Sequence, residues 1–381
     1  MKKLFELILQ FFRKLDKPLF FASLTLGACS VIMLYSIVTN DAATIQVTSR
    51  LYRMQAAALG AGAAAAIIVS ALDYHKIVKL WFLYVPVCIA LVLLTFTEMG
   101  VEVESTGDRA WLDLGFGTLQ PSELLKIAFI CTFSLHLSKV GDKLNHFGNV
   151  MLLLLHAAVP IGLVFVQGDD GTAFVFICLF LFMIFAAGLS WKYILPAAVS
   201  APLWIYLLWT KFMKTHQKMR FLVLFDEELD PMGYGYQQHY GKIALGSGKI
   251  FGKGLISDEF IAIPEAQNDF IFAYIGQAAG FIGCVSVIFV LTFVCLKIFA
   301  DSRIAKDPLG KYICVGMFSL ILVHCILNIG MVLGVMPVIG VPLPLLSQGG
   351  SSMVSLFIGI GLVMSTYSHS EKNYRVFYNA D

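Results

Sequence analysis

The chain has 381 residues, of which 58% are hydrophobic and only 14% charged, and its mean hydropathy is +0.80. Soluble domains keep about a quarter of their residues charged, so this composition excludes a soluble globular protein and indicates a chain that folds in lipid. The net charge is only +2 and no basic patch is interleaved with aromatic residues, so we expect no nucleic-acid partner.

Hydropathy predicts an all-α polytopic membrane protein with about ten transmembrane helices in one domain, residues 1–381. No small-residue cleavage site follows the first apolar run, so we expect a retained helix rather than a removed signal peptide. All eight cysteines fall in apolar runs without ligand spacing, which favours ordinary helix residues. The predicted spans are 18–39, 54–72, 77–96, 120–138, 150–166, 172–189, 191–210, 270–297, 312–334 and 352–367.

The distribution of Lys and Arg predicts the orientation, because cytoplasmic loops of membrane proteins are enriched in both. With the N-terminus inside, the cytoplasmic segments hold more than half of the 27 Lys and Arg, whereas the short outer loops hold only Arg50, Arg53 and Arg109. Both termini are therefore predicted to be cytoplasmic. Four polar stretches then lie outside, including a long extracytoplasmic loop, 211–269, between helices 7 and 8.

The first stretch runs from Arg109 through Trp111 to Gln120, Pro121, Glu123 and Lys126. Pro121 suits the first helical position and Glu123 suits a capping carboxylate. Lys126 lies inside a span, where an ammonium is costly and normally paired, and Glu123 lies three residues away on the same helix face. Two interpretations stay open, a structural ion pair and a pair that lines a polar cavity.

The second stretch, Gln167 to Thr172, is a tight acidic turn that contains Asp169 and Asp170. Asp and Gly are ordinary turn residues, so a solvated turn is one interpretation. Adjacent carboxylates could also bind a divalent cation, although the pattern is too short to be specific.

The long loop contains glycines spaced between Lys242, Lys249 and Lys253, which could bring backbone and cations close to a phosphate. No strand precedes them, so this is neither a Walker loop nor a Rossmann fingerprint. Asp269 lies where the loop meets the next span. A partly desolvated carboxylate there could act as a general base, and the alternative is an Asp that stabilises a helix N-terminus.

Residues 338–352 are rich in Pro and Gly and cannot form one helix, so they predict a re-entrant segment that faces protein or a water-filled cavity. Ser351 and Ser352 then begin the last span, whose N–H groups could receive a diphosphate. A simple packing turn is the alternative. His156 and His324 lie within spans and are predicted to be hydrogen-bonded core residues.

These stretches together resemble the SEDS family, the RodA/FtsW/SpoVE proteins of bacterial cell-wall synthesis. The resemblance covers nearly the whole chain in five ordered motifs. They are Trp111–Gly115 with Leu119–Lys126, Ile243–Gly254, Pro264 and Glu265 with Asp269–Phe272, Asn328–Met331, and Pro342–Ser352.

The resemblance implies a peptidoglycan glycosyltransferase, RodA-like, that polymerises lipid II at the outer face of the cytoplasmic membrane with a class B penicillin-binding protein. The role would be in elongation and cell shape, in division or in sporulation. By position, Asp269 matches the family's essential acid and is the predicted catalytic base. A divalent cation, Mg²⁺ or Mn²⁺, is a candidate cofactor without assigned ligands. The predicted substrate-binding residues are Arg109, Glu123, Lys126, Asp169, Lys242, Lys249, Lys253, Glu265, Ser351 and Ser352.

The chain departs from the family pattern at several positions. Gly168 and Asp170 flank the turn acid where the family has Pro and a large apolar residue. Gln267, Gln277 and Gln348 replace a usual His, Glu and Tyr respectively. Gln retains hydrogen bonding but not ionisation, which weakens any mechanism that needs a second acid beyond Asp269.

Two other functions fit part of the pattern. A flippase or other transporter of lipid-linked precursors would also have intramembrane charges and broken helices, but no internal repeat relates the two halves. A scaffold that only recruits partners would leave Glu123 and Lys126 without a role.

Overall fold

The computed structural model describes residues 14–40, 48–102, 108–115, 117–230, 232–257 and 259–370. They form a bundle of apolar helices, which confirms the predicted class of all-α polytopic membrane protein. The tails 1–13 and 371–381, which contribute Lys and Arg to the predicted orientation, lie outside the described residues.

The helices closely follow the predicted spans. Within the described residues, eight helices are long and apolar enough to cross a membrane, namely α1, α2, α5, α6, α8, α11, α12 and α13. Helices α4 and α7 are apolar but shorter. The number of ten spans stays a prediction. The helices are α1 (Lys17–Thr39), α2 (Arg50–Ala71), α3 (Tyr74–Lys79), α4 (Trp81–Leu94), α5 (Pro121–Val140), α6 (Phe147–Val166), α7 (Asp170–Ala186), α8 (Trp191–Leu207), α9 (Thr215–Leu222), α10 (Tyr234–Ser247), α11 (Ile271–Ile304), α12 (Pro308–Val332) and α13 (Gly350–Ser368).

Two predicted spans differ from the structure. The span 77–96 is divided, because α3 ends at Lys79 and α4 begins at Trp81. The span 270–297 continues to Ile304, because its polar end is buried in ion pairs that a hydropathy scale does not recognise. This helix, α11, also bends at Gly280, whose φ is +66°.

The centre of the bundle is formed by α12 and α13, most of whose residues are buried. Helix α2 packs along α13, and α5, α7 and α11 pack along α12. Helix α8, by contrast, has no buried residue. All eight cysteines lie within helices as free thiols, as predicted.

One end of the bundle collects the beginning of α1 and the end of α13. The ammonium of Lys297 lies 2.6 Å from a carboxylate oxygen of Asp16 and 4.4 Å from the ring centroid of Tyr367. Asp307, before α12, contacts His75 of α3 at 2.5 Å. We call this the terminal end and define it by Asp16, His75, Lys297, Asp301 and Asp307.

The opposite end carries the irregular structure, and we call it the cavity end. The predicted loop 97–119 contains a small antiparallel sheet of β1 (Gly100–Val101), β2 (Trp111–Asp113) and β3 (Thr118–Leu119), with Val101 opposite Trp111 and Leu112 opposite Leu119. The predicted long loop contains α9 and α10. Residues 338–349 are irregular, as predicted, and lead into α13.

Candidate active site

A cavity of about 1060 Å³ opens at the cavity end, between α2, the small sheet, the acidic turn and the re-entrant segment. Typical small-molecule sites measure about 300–1000 Å³, so this cavity suits a large ligand. Its lining includes both apolar and polar side chains, and the charged ones are more often acidic than basic. The apolar residues include Leu51, Met54, Ala58, Leu124 and Val354; the polar residues include Arg50, Asp169, Asp170, Arg220, Glu265, Asn268, Asp269, Gln348, Ser351 and Ser352.

Asp269 lies in the cavity wall two residues before α11. Burial and the charges of Glu265 and Asp169 raise the pKa of this carboxyl, Arg220 opposes the rise, and the net result is a pKa of about 7. A carboxyl group with a pKa near neutrality can accept a proton from a hydroxyl group during a reaction. Neighbouring Glu265 has a φ of +52°, a rare conformation for a non-glycine residue that is typical of functional sites.

The backbone around Asp269 is fixed by three successive carbonyl groups that each accept a hydrogen bond. The carbonyl of Gln267 accepts from Gln348 N–H at 2.8 Å, and that of Asn268 accepts from the Ser347 hydroxyl at 2.6 Å. The carbonyl of Asp269 itself accepts from Asn328 Nδ2 at 2.9 Å. The re-entrant segment and α12 therefore hold this part of the chain in one position.

Asp169 caps the N-terminus of α7 and also lines the cavity. Its Oδ1 accepts from Thr172 N–H at 2.9 Å, and its Oδ2 accepts from Gln120 Nε2 at 2.8 Å. Burial raises the pKa of Asp169, and the hydrogen bond from Thr172 only partly offsets this effect. Adjacent Asp170 accepts from Gln217 Nε2 of α9 at 2.5 Å, so the acidic turn ties the long loop to the bundle.

The carboxylate of Asp169 in the acidic turn is already engaged within the protein. Both carboxylate oxygens of Asp169 already accept hydrogen bonds, and within the described ranges no three His, Cys, Asp or Glu residues converge as metal ligands. The divalent cation stays a prediction; Mg²⁺ often takes part of its oxygen ligands from phosphate groups.

The cavity is also lined by two arginines that the sequence analysis did not single out as site residues. Arg50 is the first residue of α2 and Arg220 lies in α9, within the long loop. Arg220 acts electrostatically on Asp269. Guanidinium groups bind phosphate oxygens in a bidentate manner, so these residues can receive a diphosphate. Their positions in helices remote in sequence explain why no local motif indicated them.

The predicted basic residues lie elsewhere. Arg109 forms an exposed ion pair with Glu102, while its neighbours Asp108 and Ala110 line the cavity, as expected for alternating side chains in extended backbone. Lys253 donates to the Glu259 carbonyl at 2.5 Å. Lys242 and Lys249 are exposed and outside the cavity lining. The structure therefore does not bring these four residues to Asp269.

The glycine-rich stretch packs against the bend of α11 rather than around the cavity. Phe281 N–H donates to the Lys249 carbonyl at 2.8 Å, and Lys253 N–H donates to the Gln277 carbonyl at 3.0 Å. A Cβ at Gly252 would lie 2.2 Å from the Ala278 carbonyl oxygen, and one at Gly280 would lie 2.4 Å from Gly252 N. The predicted close backbone approach is present, but it joins two parts of this chain.

Glu123 and Lys126 form a buried ion pair in α5, with 2.9 Å between Oε1 and Nζ. Their side chains are only 3% and 1% exposed, and neither lines the cavity, although intervening Leu124 does. The structure therefore favours an internal pair over a cavity-lining one. Glu123 does not cap the helix as predicted, because its carboxylate is directed to Lys126.

Ser351 and Ser352 line the cavity in the first turn of α13. The first N–H groups of a helix have no acceptor within it, so this turn can present them to an anion. Glu265 lines the cavity as well. The structure thus brings Asp169, Glu265, Asp269, Ser351 and Ser352 together.

Two of the three unusual glutamines have clear positions. Gln277 is fully buried; its Oε1 accepts from Ile261 N–H at 2.9 Å and its Nε2 donates to the Ile261 carbonyl at 3.1 Å. A carboxylate could not make the second bond. Gln348 lines the cavity, whereas Gln267 is buried with its Oε1 unsatisfied, for which the structure offers no physical account.

The fold and the cavity define a polytopic membrane protein with an acidic site at one end. A family model described as "Cell cycle protein", FtsW/RodA/SpoVE, matches residues 17–372. The chain belongs to this family, which confirms the resemblance seen in the sequence.

Individual relatives agree with this assignment. Peptidoglycan glycosyltransferase MrdB of Escherichia coli K12 is 34% identical over 294 residues, which are 76% of this chain and 78% of that protein. A chain of a peptidoglycan synthase complex that coordinates polymerization and crosslinking has a TM-score of 0.77 at 24% identity, covering 93% of this chain and 97% of that one. RodA of Thermus thermophilus has a TM-score of 0.68 at 23% identity, covering 94% and 98%.

Proposed function

We propose that this protein is a peptidoglycan glycosyltransferase that polymerises lipid II into glycan strands at the outer face of the bacterial cytoplasmic membrane. The observation that carries the proposal is Asp269, a carboxyl group with a pKa of about 7 in the wall of a large cavity. The curated name of the Escherichia coli relative supports the same reaction.

In the proposed reaction, Asp269 removes the proton from the sugar 4-hydroxyl group of the acceptor. That oxygen bonds to the anomeric carbon of the donor as the bond from this carbon to the diphosphate breaks, so the configuration inverts. The lipid diphosphate leaves as an anion. Arg50, Arg220 and the first turn of α13 line the same cavity and stabilise its charge.

The apolar residues of the cavity suit the lipid part of the substrate. The cavity is lined both by apolar residues of α2, Leu51, Met54 and Ala58, and by carboxyl groups. A lipid-linked sugar likewise combines a hydrocarbon chain with a polar head. This arrangement supports a substrate that stays anchored in the bilayer while its sugars react.

The outer face, the cation and the partner are parts of the same proposal. The cavity lies opposite the terminal end, so a cytoplasmic N-terminus would place it outside. A divalent cation, Mg²⁺ or Mn²⁺, would arrive with the diphosphate, and loss of activity in EDTA would test it. By analogy with the synthase complex of similar fold, the partner is a class B penicillin-binding protein.

The test is polymerisation of labelled lipid II by the purified protein, alone and with its penicillin-binding partner. We expect long glycan strands from the wild type and a rate lower by roughly 100- to 10,000-fold for Asp269→Asn. Equal polymerisation by Asp269→Asn would refute the assignment of the base. Movement of labelled lipid across proteoliposomes without polymer would instead favour the transporter hypothesis.

A further inference from the structure

His324 links the buried ion pair to the re-entrant segment. Lys126 Nζ lies 3.2 Å from His324 Nε2, and His324 Nδ1 lies 3.0 Å from the carbonyl oxygen of Pro342. A carbonyl oxygen only accepts hydrogen bonds and an ammonium group only donates them. The imidazole is therefore neutral, with its proton on Nδ1 and its Nε2 lone pair directed to Lys126.

Asn328 makes the equivalent contact one helical turn further along α12. Its Nδ2 donates to the carbonyl of Val341 at 2.8 Å and to that of Asp269 at 2.9 Å. Positions four apart lie on the same face of a helix. His324 and Asn328 together therefore hold two successive carbonyls of the re-entrant segment, and the second of these side chains also holds the backbone of Asp269.

The linked groups are buried, so water cannot replace the hydrogen bonds between them. His324 is 5% exposed, Asn328 is fully buried, and Lys126 is 1% exposed. Pro342 has no N–H, and residues 338–349 around it form neither helix nor strand. The side chains of α12 therefore supply part of the order that the backbone of this segment lacks.

We propose that Glu123 and Lys126 act on the reaction through His324, a positioning residue that holds the backbone at Pro342 and so the placement of Asp269. Lys126 donates to Nε2 and thereby keeps the proton on Nδ1, where it bonds to Pro342. The ion pair is not a direct contact to substrate in this arrangement. The inference rests on the proposed glycosyltransferase function.

The first test compares His324→Phe, His324→Asn and the control His156→Phe, using polymerisation of lipid II by purified protein. Phe keeps the ring but loses both hydrogen bonds, whereas Asn places an amide N–H where Nδ1 lies. His156 is a histidine of α6 that bonds to Thr132 at 3.1 Å, away from the re-entrant segment. Small displacements of a reacting group cost up to about 100-fold in rate.

We expect His324→Phe to lower kcat by roughly 10- to 100-fold while the KM for lipid II changes less than about twofold. His324→Asn should stay within about threefold of the wild type, and His156→Phe should retain its kcat. A wild-type kcat in His324→Phe, an equal loss in His324→Asn, or a loss confined to KM would each overturn the inference.

A second test does not need His324→Phe to fold. Glu123→Gln with Lys126→Met removes both charges together, which avoids leaving one buried charge alone. In the wild-type background this double change should lower kcat by roughly tenfold; in the His324→Asn background, whose donor needs no lysine, it should lower kcat by less than about threefold. Equal losses in both backgrounds would contradict the inference. If the wild type itself makes no polymer, the proposed function fails and the inference with it.

Discussion

The two ends of the bundle use carboxyl groups in opposite ways. At the terminal end, burial acts to raise the pKa of Asp307, but hydrogen bonds from Gly310 N–H, Tyr74 and His75 outweigh it and lower the pKa. At the cavity end, burial and neighbouring carboxylates raise the pKa of Asp269 to about 7. A carboxylate that accepts several hydrogen bonds stabilises the fold. A buried carboxyl group with few hydrogen-bond donors destabilises the fold when it ionises, but its raised pKa allows it to act as a base.

The largest effect on activity and stability is expected for Asp269→Asn. Because the pKa of Asp269 is higher in the folded protein than in the unfolded chain, the folded state retains a proton between about pH 4 and 7 that the unfolded state loses, so stability falls as pH rises through that window. The variant should therefore lose polymerisation yet gain about 1–3 kcal/mol of stability at pH 8. Thermal unfolding at pH 5 and pH 8 measures this gain.

The wild-type rate should rise with pH through an apparent pKa near 7, because only the deprotonated Asp269 can act as base. Asp307→Asn serves as the control, since it neutralises an acid at the terminal end. A flat pH profile from pH 5.5 to 8.5, or a loss of stability in Asp269→Asn at pH 8, would break the comparison.

The next largest effect is expected for replacement of Arg220, one of the two arginines that line the cavity. Arg220 lowers the pKa of Asp269 against the effect of burial, so Arg220→Met should raise the apparent pKa in the pH profile and lower kcat/KM by roughly 10- to 100-fold. Lys249→Met is the matched control, an exposed cation of the glycine-rich stretch. If Lys249→Met lost as much activity as Arg220→Met, the lysines of the glycine-rich stretch would be the phosphate-binding residues, as the sequence predicted.

Gln277→Glu sharpens the comparison within the cavity end. The substitution introduces the acid that is usual in the family. It also places a carboxylate oxygen against the Ile261 carbonyl, which accepts a hydrogen bond from Gln277 Nε2 in this protein. We expect a loss of about 1–3 kcal/mol in the free energy of unfolding, with kcat of the folded protein little changed. Chemical denaturation measures the first quantity, and a raised kcat would instead give this position a catalytic role.

The smallest effect is expected at the terminal end. The pKa of Asp307 is lowered in the folded protein, so its stabilisation is present above about pH 4 and is lost as pH falls through the folded pKa. Asp307→Asn should cost about 1 kcal/mol at pH 7 and nothing at the lowest pH at which the protein stays folded. Equal destabilisation at both pH values would show that packing, not charge, accounts for the loss.

The sequence predicted the helices well because each bilayer span must be apolar by itself, a local property. It also placed Asp169, Glu265, Asp269, Ser351 and Ser352 in one region through the family motifs. It missed Arg50 and Arg220, since only the fold brings these two residues, remote in sequence, to the same cavity. The lysines of the glycine-rich stretch were assigned to phosphate binding because spacing alone cannot distinguish a loop that receives a ligand from one that receives another helix.

The contact between Gly252 and Gly280 has a consequence for how variation at these positions should be interpreted. A methyl group at either position would collide with backbone, which cannot move aside. A library of all substitutions, selected only for folded protein in the membrane, should therefore recover glycine at both sites without any selection for wall synthesis. Invariance of this stretch among related sequences would then reflect selection for correct folding rather than for catalysis.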